Sequence, residues 1–375
     1  MTYKIVHLTS VHKPNDTRIF IKECKTLQKK FGEVILIAPH DKNEVIDGIK
    51  IYPVPKPKNR KERMLKTIWR VYKYALSLNA DIYHFHDPEL IPIGLLLKAR
   101  GKKVIYDVHE DVPKQILNKY WIPAYLRKIV SELTALLEKI SANVFDGIVA
   151  ATPSIAKRFP DKKTVVVQNF PIINELVSEK HIEYGQRPNN IVYIGGIAEI
   201  RGIKEMVQAV EFLPDYLNAK LVLAGNFTPP SLEEKIKNLS GWKYVEFKGW
   251  VSRREASYLL GSARVGLVLF HPVPNHIEAQ PNKLFEYMSA GIPVVASDFP
   301  LWREIIKDAD CGILVDPLNP EAIADAIKWL LEHPKDAEEM GRKGREAIIK
   351  KYNWESEAKK LIIFYEKLLM RGSQK

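Results

Sequence analysis

Two glutamates, Glu278 and Glu286, stand eight residues apart in a stretch that combines a loop, a helix start and a strand. Glu278 follows a loop rich in proline and asparagine, and Glu286 lies in a predicted helix that ends at Gly291. The run IPVVAS then predicts a strand. Carboxylates accept hydrogen bonds from hydroxyl groups, and free amides at a helix start suit a phosphate. Those amides belong to the region of Asn282, Lys283 and Leu284.

This arrangement suits a ligand with a phosphate at one end and diols at the other, such as a nucleotide sugar. The alternative is that both glutamates are solvated surface charges, because glutamate is mostly exposed in folded proteins.

A glycine-rich loop is predicted between a strand and a helix in YIGGIAEIRGIKEM. Such loops bring backbone amides close to a phosphate. Gly195 and Gly196 follow the strand, and the guanidinium of Arg201 matches phosphate oxygens. The spacing is neither that of a dinucleotide fingerprint nor that of a P-loop. The alternative for Arg201 is an ordinary surface charge at a helix start.

Polar residues also end a predicted strand in the first half of the chain, in DVHED. Ligands bind at the carboxyl edge of parallel sheets, so His109 is a candidate to hydrogen-bond a sugar hydroxyl. The alternative is a structural histidine. Glu110 and Asp111 are both candidates to meet an acceptor hydroxyl, and the sequence does not choose between them.

The stretch from Glu278 to Glu286, continued by YMSAGIPVVAS, resembles the E-x7-E signature of the family-4 retaining glycosyltransferases of GT-B fold. The resemblance extends over nearly the whole chain. It implies that Glu286 holds the ribose diol, that Glu278 and His109 hold hydroxyls of the transferred sugar, and that no metal is needed. It also implies that the loop at Trp250 and Val251 holds the nucleobase edge, whereas residue type alone favours core packing for Trp250.

This sequence departs from the family pattern at two phosphate-binding places. The family usually carries an arginine where Gly196 stands, and a lysine-glycine pair where Arg201 and Gly202 stand. A glycine pair usual in the first loop is replaced by NDTRIF, which resembles a bacterial subgroup that builds surface polysaccharides. We therefore assign Arg18 as the second phosphate cation, with Asp16 beside it as an acceptor-side candidate.

The order of predicted elements indicates an α/β protein. Strands and helices alternate through residues 1–170, and the alternation restarts after residue 188. We predict two doubly wound, Rossmann-like domains facing a central cleft, as the resemblance implies. The predicted parts are residues 1–170, a linker at 171–188, a nucleotide-sugar domain at 189–352, and a C-terminal helix at 353–375 that packs back on the first domain.

Charge is unevenly distributed between the two halves. Residues 1–170 hold 30 lysines and arginines against 17 acidic residues, whereas the remainder holds 27 against 28. The first half should therefore face an anionic partner. Nucleic acid is disfavoured because no pattern of a nucleic-acid-binding module is present. The two cysteines and the absence of a signal-like start favour a cytoplasmic protein.

Two basic segments, residues 58–78 and 114–139, mix cations with apolar residues. This composition suits peripheral contact with an anionic membrane at the inner face of the cell membrane. The alternative is that the apolar faces are core. The apolar members are Met64, Leu65, Ile68, Trp69 and Tyr72 in the first segment, and Tyr120, Trp121, Ile122, Tyr125 and Leu126 in the second.

Together these features predict a metal-independent retaining glycosyltransferase. It would move a hexose from a UDP- or GDP-linked sugar to a hydroxyl of a lipid-linked saccharide. No cofactor is expected besides this co-substrate, and His84 and His86 show no third metal ligand in the sequence. The alternatives are a non-catalytic nucleotide-sugar-binding subunit and a sugar-nucleotide epimerase of the same fold.

Overall fold

The computed structural model describes residues 3–119, 122–178 and 182–370. The chain divides into two compact units. Unit 1 takes the described residues up to Asn169 together with those from Trp354 onward, and unit 2 is Phe170–Asn353.

Unit 1 is built on an eight-stranded sheet whose strands are parallel except for the edge strand β3. Its order is β3-β4-β2-β1-β5-β6-β7-β8. Runs such as Ile82–Phe85 are buried throughout, as expected for a parallel sheet covered on both faces. The strands are β1 Tyr3–Leu8, β2 Gly32–Pro39, β3 Glu44–Ile46, β4 Ile49–Val54, β5 Ile82–Phe85, β6 Lys103–Val108, β7 Gly147–Ala150 and β8 Thr164–Val166.

Helices connect these strands. Two stretches, Thr17–Cys24 and Arg63–Thr67, are π-helical, and Pro88–Leu90 and Asp161–Lys163 are 3-10 turns. The predicted helical region from Lys114 to Asn143 is two helices, because Pro123 precedes the second one. The α-helices are α1 Lys25–Phe31, α2 Arg60–Glu62, α3 Ile68–Leu78, α4 Ile91–Ala99, α5 Val112–Leu117, α6 Ala124–Val144 and α7 Pro153–Ala156.

Unit 2 has a wholly parallel six-stranded sheet in the order β11-β10-β9-β12-β13-β14. Apolar clusters cover it, with Ile191, Leu223 and Ile327 in one and Val192, Leu284 and Trp302 in another. Its strands are β9 Asn190–Ile194, β10 Lys220–Ala224, β11 Val245–Gly249, β12 Val265–Val268, β13 Val294–Ser297 and β14 Gly312–Val315.

The helices of unit 2 follow the same alternation. Its 3-10 turns are Tyr184–Gln186, Glu199–Arg201, Val210–Phe212, Asp215–Leu217 and Ser240–Tyr244. Its α-helices are α8 Ile203–Ala209, α9 Leu232–Lys237, α10 Arg253–Gly261, α11 Pro274–Ile277, α12 Asn282–Ser289, α13 Pro300–Ala309, α14 Pro320–Glu332 and α15 Pro334–Lys350.

The segment at 171–188, predicted as a linker, is grouped with unit 2. Leu176 and Tyr184 are buried in the apolar clusters of that unit, which explains the grouping. Residues 179–181 of this segment lie outside the described residues.

The last helix, α16 (Trp354–Met370), belongs to unit 1 although it follows unit 2 in the chain. Its Tyr365 hydroxyl lies 2.7 Å from Nδ1 of His84, and Trp354 Nε1 donates to Thr26 at 3.0 Å. The Glu357 carboxylate accepts from the Gln168 amide at 2.9 Å. These bonds attach α16 to strand, helix and loop residues of unit 1.

Candidate functional site

The glycine-rich loop of unit 2 runs from β9 to α8. Gly195 has a φ of +130° and Gly202 a φ of +75°, so glycine suits both positions. The Tyr193 hydroxyl donates to the Gly196 carbonyl at 2.7 Å, and Arg201 Nη1 donates to the same oxygen at 3.1 Å. These bonds hold the partly exposed Arg201 side chain against the loop.

Lys283, in the first turn of α12, brings a second cation to this loop. Its ammonium nitrogen lies 5.1 Å from the Tyr193 ring centroid and 5.8 Å from that of Phe270, which Arg201 also faces at 5.6 Å. Burial, and then the charge of Arg201, lowers the pKa of Lys283 to about 8. A Cβ on Gly195 would lie 2.5 Å from this nitrogen, so any larger residue at 195 would displace the end of the Lys283 side chain from its present position.

The Lys283 ammonium has no hydrogen bond or ion pair within residues 3–119, 122–178 and 182–370. Its side chain is nevertheless only 9% exposed. Burying an unpaired charge is costly, and ring faces offset only part of that cost. Two cations against one glycine-rich loop therefore form a site for an anion.

The prediction that free backbone amides at the start of α12 bind a phosphate needs a correction. The Leu284 amide already donates to the Pro281 carbonyl at 3.1 Å, and the Leu284 side chain is buried in the core. Asn282 is exposed at the first position of the helix. The contribution of this helix start to the site is therefore the Lys283 side chain rather than the Leu284 amide.

Glu286 is held by an arginine that the sequence analysis does not single out. Its Oε1 accepts from Arg253 Nη1 at 2.7 Å, and the rest of the Arg253 fork contacts Glu175 at 2.8 and 3.1 Å. Arg253 opens α10 directly after the Ser252 cap, whose capping box with Glu255 fixes that helix start. Glu286 is thus a partly buried, charge-paired carboxylate and not a freely solvated one.

Glu278 is exposed and ends α11, in the loop before α12. The Trp302 indole donates to the carbonyl of the neighbouring Ala279 at 2.7 Å and so anchors this loop. Trp250, which follows β11, is 71% exposed, so the interpretation of Trp250 as core packing is wrong. Val251 beside it is partly buried.

In unit 1, His109 follows β6 and meets a network of polar side chains. Its Nε2 lies 3.0 Å from Asp107 Oδ2 and 3.0 Å from His86 Nδ1. His86 in turn lies 2.9 Å from His7, and the His12 ring packs beside the His109 ring at 5.5 Å. His109 is the partly exposed end of this network, so it remains accessible to a ligand.

Arg18 does not have the role that we predict for it. The side chain is buried, donates to both Asp107 oxygens at 2.9 and 3.2 Å, and donates to the Val167 carbonyl at 2.9 Å. It also contacts Glu23 at 3.1 Å. With these partners inside unit 1, its guanidinium is not available to a donor phosphate, and Lys283 provides the second cation at the glycine-rich loop instead.

The three acceptor-side candidates take mainly structural positions. Asp16 caps the π-helix by accepting from the amides of Arg18 and Ile19, both at 2.9 Å. Asp111 caps α5, accepts from the Lys114 amide at 3.2 Å and pairs with Arg158 at 3.1 Å. Glu110 is exposed beside Gln115. Of the three, Glu110 alone is not a helix cap.

Two groups of side chains in the described residues are close enough together to be considered for a metal: His7, Glu23, His84 and His86, and His86, Asp107 and His109. In the first group the ligand atoms lie within 4.8 Å of one another, but Nδ1 of His7 already faces Nε2 of His86 at 2.9 Å, and Nδ1 of His84 faces the Tyr365 hydroxyl at 2.7 Å. In the second, the Arg18 guanidinium already bonds both oxygens of Asp107. A hydrogen-bonded network fits this geometry better than a cation site does.

Helix α6 exposes a continuous apolar stripe. Its members are each at least 45% exposed and, apart from the adjacent pair Leu136 and Leu137, recur every three or four residues, which places them on one face. In the other basic segment, Ile68 and Tyr72 are core whereas Met64, Leu65 and Trp69 are exposed. Tyr120 and Trp121 lie outside the described residues. The α6 stripe comprises Tyr125, Ile129, Leu133, Leu136, Leu137, Ile140 and Val144.

The structure thus brings Gly195, Gly196, Arg201 and Lys283 together, and separately gives Glu286 an arginine partner. Sequence reasoning misses Arg253 and the Lys283 ammonium. The signal for Arg253 is its position directly after a serine cap at the end of β11. For Lys283 the side-chain direction depends on the packing of α12, which no local pattern reports.

Comparison with protein families and relatives gives consistent matches. A family model described as glycosyl transferases group 1 matches residues 177–347, and one described as glycosyltransferase family 4 matches residues 18–170. The chain is 27% identical to MMP alpha-(1->4)-mannosyltransferase of Mycolicibacterium hassiacum, over 80% of this chain and 74% of that protein. It is 24% identical to phosphatidyl-myo-inositol mannosyltransferase of Mycobacterium leprae, over 81% and 78%.

Solved structures share the fold. Sucrose-phosphate synthase from Thermosynechococcus elongatus matches with a TM-score of 0.77 at 18% identity, over 98% of this chain and all of that one. HepE from Anabaena in complex with UDP matches with a TM-score of 0.71 at 15% identity, over 97% and 100%. Within the described part of the chain, no helix combines the length and apolarity needed to cross a bilayer.

Proposed function

The chain belongs to the family-4 glycosyltransferases of GT-B fold, and we propose that within this family it is a retaining hexosyltransferase. It transfers the sugar of a nucleoside-diphosphate sugar to a hydroxyl of a lipid-linked saccharide in surface polysaccharide synthesis. The observation that carries this proposal is the pair of cations, Arg201 and Lys283, at the glycine-rich loop.

This pair matches the charge of a leaving diphosphate. Breaking the bond between the sugar and the diphosphate leaves negative charge on the phosphate and an oxocarbenium-like sugar. Fixed cations in a partly dehydrated site stabilise such developing charge without reorganisation. We therefore assign Arg201 and Lys283 to the diphosphate and propose that the reaction needs no metal ion, because these side chains supply the positive charge.

The remaining polar groups are assigned to hydroxyls. Glu286, oriented by Arg253, accepts from the ribose diol, and Glu278 accepts from the transferred sugar. His109 in unit 1 is assigned another hydroxyl of that sugar. The acceptor hydroxyl approaches on the face from which the diphosphate leaves, so the configuration at the anomeric carbon is retained. Trp250 and Val251 are assigned to the nucleobase edge.

A lipid-linked acceptor and a location at the inner face of the cell membrane are supported by two observations. A relative is named for mannosyl transfer to phosphatidyl-myo-inositol. Helix α6 exposes seven large apolar side chains, with Lys128, Glu132 and Lys139 exposed beside them, a net charge of +1. Such a face suits peripheral docking on an anionic leaflet. The donor base is proposed as uracil or guanine, and a HepE structure was solved with UDP.

Thermal unfolding in the presence of UDP-, GDP- and ADP-linked sugars tests donor binding. One of the first two classes should raise Tm at millimolar concentration, because a ligand of the native state stabilises it. The matched pair Gly195→Ala and Gly101→Ala serves as control. Both glycines have positive φ, but only a Cβ at residue 195 meets the Lys283 ammonium, since nothing lies within 4 Å of one at 101. The ligand shift should vanish only in Gly195→Ala.

Product analysis separates transfer from the two alternatives. A transferase releases nucleoside diphosphate and elongates a saccharide acceptor. An epimerase converts the donor with no acceptor present, and a binding subunit leaves the donor unchanged. Donor binding without any turnover across a panel of lipid-linked acceptors would contradict the proposed activity.

A further inference from the structure

A line of imidazole rings in unit 1 connects buried strand positions to His109. Nδ1 of His7 lies 2.9 Å from Nε2 of His86, and Nδ1 of His86 lies 3.0 Å from Nε2 of His109. His7 and His86 are buried, whereas His109 is partly exposed. The line therefore ends at the one of these three rings that a ligand can reach.

Asp107 sits at the outer end of this line as an ionised carboxylate. Burial alone would raise its pKa, but the Arg18 guanidinium and then His109 hold the pKa of Asp107 well below its usual range. Arg18 donates through Nη2 to Oδ1 at 2.9 Å and through Nε to Oδ2 at 3.2 Å. An ionised carboxylate accepts hydrogen bonds only, so the ring nitrogen closest to it should carry a proton.

Nε2 of His109 faces Asp107 Oδ2 at 3.0 Å and must therefore be protonated. His86 Nδ1 lies 3.3 Å from the same Asp107 oxygen and 3.0 Å from His109 Nε2, so the two ring nitrogens compete for one carboxylate oxygen. A single proton between them is placed on His109 Nε2, because that nitrogen is the closer to the oxygen, and His86 then accepts at Nδ1 and donates from Nε2 to His7. The opposite assignment would leave an unprotonated nitrogen 3.0 Å from the carboxylate.

We propose that Asp107, held by Arg18, is a positioning residue that fixes His109 as the Nε2–H tautomer. Nδ1 of His109 is then a lone pair, with no hydrogen-bond partner in the part of the chain that the structure describes. That nitrogen accepts a hydrogen bond from a hydroxyl of the donor sugar, an assignment that rests on the proposed function. The site therefore favours a sugar substituent that donates a hydrogen bond to Nδ1, which a hydroxyl can do and a fluorine at the same carbon cannot.

The tautomer is measured on the full chain without any ligand. Long-range proton–nitrogen spectra of protein labelled with 15N-histidine at pH 8 distinguish a protonated ring nitrogen from an unprotonated one, and His109→Gln identifies the signals. We expect the proton of His109 on Nε2. A proton on Nδ1 in the wild-type protein overturns the proposal.

The variant Asp107→Asn provides a second test of the proposed tautomer. Arg18 donates to both carboxylate positions, and the contact of Nη2 with Oδ1, at 2.9 Å, is shorter than that of Nε with Oδ2, at 3.2 Å. We therefore expect the amide oxygen at the Oδ1 position, which turns the amide NH₂ towards His109 and should move the His109 proton to Nδ1. Asp325→Asn, an exposed residue on α14, is the matched control and should leave the spectrum unchanged. Circular dichroism checks that the variant folds. An unchanged His109 tautomer in folded Asp107→Asn contradicts the proposal, and the wild-type spectrum decides it if the variant does not fold.

Kinetics with deoxyfluoro donor sugars tests whether a sugar hydroxyl donates a hydrogen bond to His109. At one ring position, fluorine for hydroxyl should lower kcat/KM about tenfold in the wild type, and Asp107→Asn should remove most of that discrimination, because an Nδ1–H can face fluorine. Equal discrimination in both proteins overturns the hydroxyl assignment. Absence of any transfer would count against the proposed function instead, since the spectra are recorded without substrate.

Discussion

The ammonium of Lys283 lies over the face of the Tyr193 ring, 5.1 Å from its centroid. The pKa of Lys283 is lowered to about 8, chiefly by burial. Its charge therefore changes within the pH range in which the protein can be studied.

Nucleotide affinity should depend on pH through Lys283. A diphosphate binds the protonated lysine, which in the free protein is mostly present at pH 7 and mostly lost at pH 9. We expect the Kd of the preferred nucleoside diphosphate to rise roughly tenfold across this range, measured by calorimetry. Lys283→Met should bind weakly with a flat profile, and Lys335→Met, at an exposed site on α15, should behave as wild type. A flat wild-type profile would show that Lys283 does not bind the phosphate.

Glu286 and Arg253 should act as a unit. Glu286→Gln keeps the shape of the side chain but removes the charge that Arg253 contacts at 2.7 Å. We expect kcat/KM for the donor to fall roughly 10- to 100-fold, because hydrogen bonds to charged groups are worth about 1.5–3 kcal/mol. Arg253→Met should cost less in the Glu286→Gln background than alone. The surface change Glu339→Gln is the control, and strictly additive effects would contradict coupling.

Acid should destabilise unit 1 through its buried histidines. Burial lowers the pKa of His86 to about 4 and places those of His7 and His84 well below 6.5. Below pH 6.5 the unfolded chain binds protons that the native rings do not, so stability falls as pH drops from 6.5 towards 4. His86 alone contributes roughly 3 kcal/mol over this window. Urea unfolding at several pH values measures the slope.

The exposed His333 provides the control for that slope. His333→Asn should leave the pH dependence of unfolding unchanged, whereas His86→Asn should reduce it by about one proton. If His86→Asn does not fold, the pH dependence of the free energy of unfolding of the wild-type protein still tests the prediction. A free energy of unfolding that stays constant between pH 5 and 6.5 would mean that these rings are not buried in their neutral form.

Membrane contact should depend on the α6 stripe. Leu136→Glu combined with Ile140→Glu places charge on exposed apolar positions and should release the protein from vesicles of phosphatidylglycerol and phosphatidylcholine in a sedimentation assay. Leu318→Glu, an equally exposed leucine of unit 2, should bind as wild type does. A wild-type dimer in solution that the double substitution dissociates would instead identify the stripe as a contact between two copies.

Much of the fold follows from local patterns, because buried parallel strands and amphipathic helices are encoded by nearby residues. The two-domain α/β class with the GT-B fold is confirmed, and so is the family. The helical region from Lys114 to Asn143 is interrupted because Pro123 disfavours a helical backbone at the residue before it. This signal is visible in the sequence.

The site is less predictable than the fold, because burial is a property of tertiary contacts. Arg18 and Lys283 are both cations near a predicted loop, and nothing local distinguishes them. In the structure the Arg18 guanidinium is paired with Asp107 and Glu23, whereas the Lys283 ammonium lies over the face of the Tyr193 ring. Which of the two cations remains open to an anion depends on residues up to 149 positions away in the sequence.

The position of α16 after unit 2 in the sequence affects how unit 1 folds during translation. A ribosome releases the whole of unit 2 before the helix that supplies Tyr365 to His84 and Glu357 to Gln168. Domains tend to fold as they emerge during synthesis. Unit 2 can therefore complete its own core while unit 1 still lacks its final helix. The nascent N-terminal sheet would then stay exposed to proteases until α16 has been synthesised.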